Sequence, residues 1–321
     1  MSEQDPSEWG LMESHNTNFF DMFGFGGQPC QRLEDRGAEA MSTIAIVTHH
    51  ADDSTKTRFL VESLSRIWAA SGHRVTVTCD LDRLPSADLA FLHVDLSVIP
   101  DCYISAMQKY QTVINGDVLD IRKRHVSRQI LRRTDSWSGP VIIKSDLNAG
   151  GSPEWRAHNS AIRRGLPPIA ATEPNSRYQI LRSLRKVPDE IWADSGLVVE
   201  RYLPERAGLG YHMRTWIFFG EQEYCVRRFG YHRIIKGHNT VRCEAAEVPE
   251  ELRAERERLR FDFGKFDFVV TNGVPILLDA NKTPALGSRS PVGLHEHLAK
   301  GISSFIRNDV PARSYARAVS A

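Results

Sequence analysis

Three side chains near the C-terminal end have the chemistry to hold a hard cation. Asp267 lies on one hydrophobic run, and Asp279 and Asn281 close the next, within FDFGKFDFVVTNGVPILLDANKTP, residues Phe261–Pro284. A carboxylate left unpaired among Val, Ile, Leu and Phe is costly. Oxygen donors of this kind suit Mg²⁺, which takes one or two carboxylates and leaves coordination positions for substrate phosphates. The two runs flank a Thr-Asn-Gly turn signal and predict a β-hairpin. Side chains alternate along a strand, so a two-residue Asn272-Gly273 loop would put the aspartates on opposite faces. A three-residue loop, Thr271-Asn272-Gly273, pairs Val270 with Val274 and sets Asp267 opposite Leu277. Asp279 is then a diagonal neighbour about 7–8 Å away, with Asn281 on the same face. A shared metal therefore predicts a loop of odd length.

Further chemistry lies upstream. GPVIIKSDLNAGG is an apolar strand ending in Lys144, followed by a turn-rich loop with Gly150 and Gly151. LVVERYLPE carries Glu200 and Glu205. HMRTWIFFG and EYCVRRFGYHRII bring Arg214 and the pair Arg227 and Arg228, only one of which can face a pocket. Guanidinium forks suit bidentate contact with phosphate or carboxylate.

The elements that must position these groups are legible in outline. From Thr43, strands alternate with helices: TIAIV, a helical Thr55–Ala70, HRVTVT, ADLAFLHV, a helical Ile104–Tyr110 and TVIN. This order predicts a small, mostly parallel sheet, whose ligands would bind beyond the strands' carboxyl ends. His49, His50, Asp52 and Asp53 follow the first strand and are weak candidates for such a role. Asp120–Arg133 reads as a basic helix with a solvated face. Ser152 to Gly196 is a polar stretch, with a helix expected around Tyr178–Arg185. Val248–Arg260 reads as a charged helix and Pro291–Ile306 as a closing one.

The bulk numbers exclude several classes. A chain of 321 residues with 41% hydrophobic and 25% charged residues has the composition of a globular protein. A formal net charge of +1 argues against a nucleic-acid or acidic-membrane footprint. Five scattered cysteines without a C-x-x-C suit free thiols in a reducing cytoplasm. No apolar stretch is long enough to span a bilayer. Residues 1–41 differ in composition, being poor in aliphatics and rich in Ser, Asn, Gln and Gly around NFFDMFGFGGQPC, and read as a disordered N-terminal extension.

In order and spacing, these pieces resemble the ATP-grasp superfamily, and in layout its ribosomal-protein glutamate ligases and D-alanine–D-alanine ligases. The resemblance covers about residues 42–305. It implies an α/β and α+β fold: a Rossmann-like pre-ATP-grasp domain over 42–116, then an ATP-grasp domain of two α+β subdomains over 117–310. Residues 311–321 form a tail. Lys144 matches the lysine at the α-phosphate and adenine, and Gly150 and Gly151 match the loop over the β- and γ-phosphates. Glu200 matches the adenine hinge, where backbone groups of Arg201 and Leu203 would read the base and Glu205 the ribose. Lys123, or equally Arg124, matches the lysine at the head of the helix entering the grasp domain. Arg214 and Arg228, with Arg227 the parity alternative, match arginines at the transferred phosphate and substrate carboxylate. Asp267, Asp279 and Asn281 match the magnesium ligands, the middle one being commonly Glu. The sequence departs from the pattern at His212-Met213 before Arg214, where the glutamate ligases carry Asp, and at Lys282, where a small residue is commoner. The resemblance implies an ADP-forming carboxylate–amine ligase that uses ATP with Mg²⁺ or Mn²⁺ and passes through an acyl phosphate. Its substrates would be small-molecule or peptide acids and amines, and a homodimer is compatible with it. The same fold supports kinases of hydroxyl groups, ligases that modify a peptide such as residues 1–41, and non-catalytic nucleotide binders.

Overall fold

A computed structural model describes residues 41–52, 59–175, 178–285 and 290–306, arranged in three sheets. The first forms from short strands buried on both faces. β1 (Thr43–Thr48) and β3 (Leu89–His93) are apolar throughout their centres, as expected of strands covered by helices. With β2 (Arg74–Thr78) and β4 (Val113–Ile114) they make a parallel sheet in the order β2-β1-β3-β4. α1 (Leu60–Ala70) lays Leu60, Leu64 and Trp68 against it, one side of a helix at four-residue spacing. α2 (Asp101–Met107) covers the other face with Tyr103 and Met107.

The chain then makes a single helical turn, α3 (Lys123–Val126), and runs extended, where the basic composition predicted a longer helix. The reason is a third edge for pairing. The Leu131 N–H donates to the Val199 carbonyl and the Arg201 N–H to the Gln129 carbonyl, so residues 129–131 lie alongside a strand. That strand, β7 (Leu197–Arg201), belongs to a three-stranded antiparallel sheet of order β6-β5-β7, with β5 (Val141–Ser145) and β6 (Gln179–Leu181). Val141, Ile143 and Val199 pack on one face with Leu131 and Leu184, which leaves Lys144 and Glu200 on the other. The polar stretch after β5 holds α4 (Ser152–Arg163), and further on α5 (Asp189–Ala193). The helix expected around Tyr178–Arg185 is instead β6 followed by one 3-10 turn.

The third sheet holds β8 (Glu205–Ala207), β9 (Gly210–Phe219), β10 (Gln222–Gly230), β11 (Arg242–Ala245), β12 (Phe263–Thr271) and β13 (Val274–Asn281). Its order is β11-β10-β9-β12-β13, with β8 also on β9. One face packs Trp216, Phe218, Phe266 and Phe268 with Leu252 of α6 (Glu250–Arg258). The opposite face carries Ile217, Phe219 and Phe263 into the core shared with Trp68 and Phe91 of the first sheet. The expected closing helix is broken into α7 (Leu294–Ala299), a 3-10 turn and α8 (Ser303–Ile306). Among the described residues no helix is long and apolar enough to cross a membrane, and Cys79, Cys102, Cys225 and Cys243 are free thiols. Residues 1–40 and the 311–321 tail lie outside the described residues.

The β12–β13 hairpin departs from the expected odd loop. Thr271 pairs with Val274 across a two-residue turn, in which Asn272 and Gly273 both have positive φ, 53° and 80°, as a type I′ turn requires. Parity is restored four pairs later. The register shifts between Phe268, opposite Leu277, and Asp267, opposite Asp279, so Leu278 is an extra residue in β13. Such a bulge transfers every later side chain of one strand to the other face. Gly273→Ala forces a Cβ into a left-handed conformation in open space, so its cost is conformational alone. Chemical denaturation should show a loss of about 1 kcal/mol, and an unchanged stability would contradict this turn geometry.

Candidate active site

The bulge makes Asp267 and Asp279 direct neighbours on one face, with Asn281 two residues on and opposite Lys265. Directly opposed residues hold their Cβ atoms about 5 Å apart, within reach of one cation. Thr215, opposite Asp267 on β9, donates its hydroxyl to Asp267 Oδ1 at 2.8 Å. Lys265 Nζ lies 3.0 Å from Asp267 Oδ2, and Lys123 Nζ lies 2.5 Å from Asp279 Oδ1. The Asp267 carboxylate holds the Lys265 ammonium above its ordinary range. Burial pushes the Asp279 carboxyl up, but Lys123, aided by Lys144 and Lys265, outweighs it and holds the group below the usual carboxylate range. Each acid is thus paired with its own lysine.

The three-stranded sheet faces this cluster. Lys144 and Glu200 are both buried and form an ion pair at 2.9 Å. Lys144 Nζ also donates to the carbonyl of the bulge residue Leu278 at 3.0 Å, joining the two sheets beside Asp279. Glu200 Oε1 is buried with no donor among the described residues, an acceptor open to a ligand amino group. Tyr178 stands at the rim with Lys236 Nζ 5.1 Å above its ring. Its hydroxyl is pushed up to about 12 by burial and then by the charges of Asp279, Asp267 and Glu200.

The open alternatives resolve by geometry. Lys123 is buried and reaches Asp279, whereas Arg124 turns away to Asp146 at 2.6 Å. Arg228, opposite Met213, shares the face of Thr215 and Asp267, and makes no ion pair among the described residues. Arg227 pairs with Arg214 in register, on the reverse face, and binds Glu244 at 2.6 Å.

Two of the expected site residues, Arg214 and Glu205, lie outside the cluster. Arg214 is opposite Phe268, on the face away from the aspartates, where its guanidinium grips Glu205 at 2.9 Å. Glu205 is correspondingly committed, accepting from Arg214 and from the Val270 N–H at 2.7 Å, so the structure gathers neither residue into the cluster. The Arg201 N–H is taken by the Gln129 carbonyl, and its guanidinium stacks 5.3 Å over Trp137, so it cannot present that donor to a base. The Leu203 N–H has no acceptor among the described residues, while its carbonyl accepts from Thr271. Gly150 and Gly151, with Ala149, form three successive left-handed residues leading into α4.

His49, His50 and Asp52 sit at the carboxyl end of β1, a separate polar group; Asp53 lies outside the described residues. Burial, then the charges of His50 and Arg164, lower the His49 imidazole to about 4. Burial and then Asp95 raise the Asp52 carboxyl to about 7. Thr215, Lys265 and Tyr178 were missed from the sequence. Lys265 had a signal, since it precedes Asp267 by two and must share its face; Tyr178 had none within a stretch read as helix.

Among the described residues no three His, Cys, Asp or Glu side chains gather as a metal cluster. Two carboxylates with an amide match a cation that completes its shell with water and ligand oxygens. Ringed by Lys123, Lys144, Lys265 and Arg228, the site suits a polyanion accompanied by a divalent cation.

No family model matches the sequence, and no curated protein matches it. Solved structures are similar to it. A D-alanine–D-alanine ligase from Bacillus anthracis is 12% identical, covers 83% of this chain and 96% of its own, and superposes with a TM-score of 0.46. A RimK domain ATP-grasp protein from Sphaerobacter thermophilus is 15% identical, with 82% and 98% covered and a TM-score of 0.46. A RiPP-associated ATP-grasp ligase from Chryseobacterium gregarium, in complex with ADP and a leader and core peptide, is 10% identical, with 85% and 98% covered and a TM-score of 0.44.

Glu205 provides a test of the reverse face. Burial opposes its ionisation, but Arg214 and the Val270 N–H outweigh that and lower its pKa. A lowered folded pKa gives stability that is present above the ordinary value of 4.5 and lost as pH falls through the folded one. Glu205→Gln should therefore lose about 2 kcal/mol at pH 7, and the gap should close towards acid. Urea unfolding at both ends of that range measures it; a gap independent of pH would contradict the assignment.

Proposed function

We propose that this chain is an ATP-dependent ligase of the ATP-grasp type, joining a carboxylate to an amine. The observation that carries the reading is Lys144, paired with Glu200 in one sheet while bonding Leu278 beside Asp279 in the other. A buried lysine spanning two sheets next to two paired carboxylates builds a cleft for a nucleotide triphosphate lying between them.

In that cleft Glu200 Oε1 would offer an acceptor and the Leu203 N–H a donor to the adenine edge. Lys144 would neutralise the α-phosphate, and the loop of Gly150 and Gly151 would cover the distal phosphates. The donor set of Asp267, Asp279 and Asn281 fits Mg²⁺, which supplies charge neutralisation of the phosphates when bound. Lys123 and Lys265, which pair with those acids, would be available to phosphate oxygens once a cation neutralised the carboxylates. A substrate carboxylate oxygen attacks the γ-phosphorus, the bond to the β–γ bridging oxygen breaks, and ADP leaves. The amine nitrogen then attacks the acyl carbonyl, phosphate departs, and the nitrogen loses a proton to give the amide. Arg228, the guanidinium on this face without an ion pair among the described residues, would steady the charge that develops on the transferred group.

Incubation with ATP, candidate acids and hydroxylamine tests the reaction class. An acyl hydroxamate is the expected product, whereas a stable phosphoester would mark a kinase. Asp267→Asn and Asp279→Asn should each lower ADP release at least about 100-fold with the fold kept; near-normal turnover would show that the metal lies elsewhere. Arg228→Ala should cost roughly 100-fold or more while Arg227→Ala costs little, and the reverse order would contradict the register.

A further inference from the structure

One short loop touches both halves of the cleft. Asp95, Leu96 and Ser97 follow β3 and are buried. Toward the metal strand, Asp95 Oδ1 accepts the Thr283 hydroxyl at 2.5 Å, and the Leu96 carbonyl accepts Lys282 Nζ. Toward the glycine loop, the Ser97 hydroxyl oxygen accepts the Asn148 N–H at 2.8 Å, and the Ser97 N–H donates to Glu154 Oε1 at 2.6 Å. Arg156 of α4 completes the junction at 2.5 Å from Asp95 Oδ2. Lys282 and Thr283 are 1% and 2% exposed, so the chain beyond β13 is fixed rather than free.

Thr283 passes this constraint to the site. Its N–H donates to Asn281 Oδ1 at 2.9 Å, which identifies that amide atom as the oxygen and occupies one of its two lone pairs. The other lone pair is left for a cation on the face of Asp267 and Asp279. The Thr283 hydroxyl oxygen also lies 3.3 Å from Asn281 Oδ1, but its single proton goes to the nearer Asp95 Oδ1 at 2.5 Å, so side chain and backbone of one residue hold Asn281 and the first sheet together. Partners that orient a ligand in this way commonly tune metal affinity as much as the ligand's own neighbours do.

We propose that Thr283, anchored by Asp95, is the positioning residue that orients Asn281 toward Mg²⁺, so that the loop 95–97 sets the metal site from the first sheet. This rests on the nucleotide reading above. The test is calorimetric binding of a non-hydrolysable ATP analogue across a Mg²⁺ titration, with thermal unfolding in chelator as the control for the fold. Thr283→Val keeps the shape and removes the hydroxyl; it should raise the Mg²⁺ concentration for half-maximal analogue binding roughly 10-fold. Thr283→Ser restores the hydroxyl and should stay close to wild type. Asp95→Asn, which keeps an acceptor for the threonine while weakening the Arg156 pair, should also stay close. Should the valine variant fail to fold, Thr283→Ala takes its place with the same expectation. A hydroxyl-deleted variant that folds and shows the wild-type Mg²⁺ dependence overturns the proposal, as does Thr283→Ser falling as far as Thr283→Val. If the wild-type chain binds the analogue without regard to Mg²⁺, or not at all, the nucleotide reading fails and this inference with it.

Discussion

One surplus residue in a strand sets the site. Leu278 has no partner in register on β12, and its insertion turns Asp279 and Asn281 onto the face of Asp267. Without it, the two-residue turn would send Asp279 to the opposite face, that of Phe266 and Phe268, where an unpaired carboxylate would be very costly. The bulge also offers its carbonyl to Lys144. A bulge breaks the ladder at one position, and the ammonium of a neighbouring sheet bonds the carbonyl of the residue that breaks it. The same local irregularity thus gathers the acids and joins the second sheet to them.

The ion pairs around that bulge contribute little to stability. Buried ion pairs gain little net free energy, because desolvation of both partners offsets their attraction. Here Lys123–Asp279, Lys265–Asp267 and Lys144–Glu200 line one cleft, with Arg228 beside them and without an acid of its own among the described residues. Each of these acids is paired with one lysine. The reverse face of the same sheet is different. There Glu205 binds Arg214 and a backbone N–H, and Glu223 binds Arg253 at 2.6 Å and the Trp216 indole N–H, so arginine replaces lysine as the partner.

Periodicity carried the regular parts of the fold and failed where pairing was non-local. The parallel sheet, the β9–β10 hairpin and α6 follow from alternation and helical spacing within each segment. Asp120–Arg133 looks helical from its basic composition, yet the free edge of β7 captures residues 129–131 as extended chain. The site was legible as residue types: Lys123, Lys144, Glu200, Asp267, Asp279 and Asn281 stand together as read. What the sequence lacked was facing. The bulge is invisible to a parity argument that assumes an unbroken ladder, and the error fell on the loop length instead. Arg214 was misjudged for the same reason, since its face depends on the register of β9 against β12, fixed only by the Thr215–Asp267 and Arg214–Phe268 pairs.

Position along the strands matters as much as face. The surface that bears Asp267 and Thr215 continues along the same strands to Phe263, Ile217 and Phe219, which are sealed against Trp68 and Phe91. Polar and apolar ends of one face are therefore divided by where the first sheet stops covering it. The loop 95–97 lies at that border, bonded to Lys282 and Thr283 on one side and to Asn148 and Glu154 on the other. Its backbone and side chains are buried. The acids therefore stand at the edge of the apolar core, their side chains 17% and 31% exposed, where an ionised group costs less to desolvate than it would among the phenylalanines.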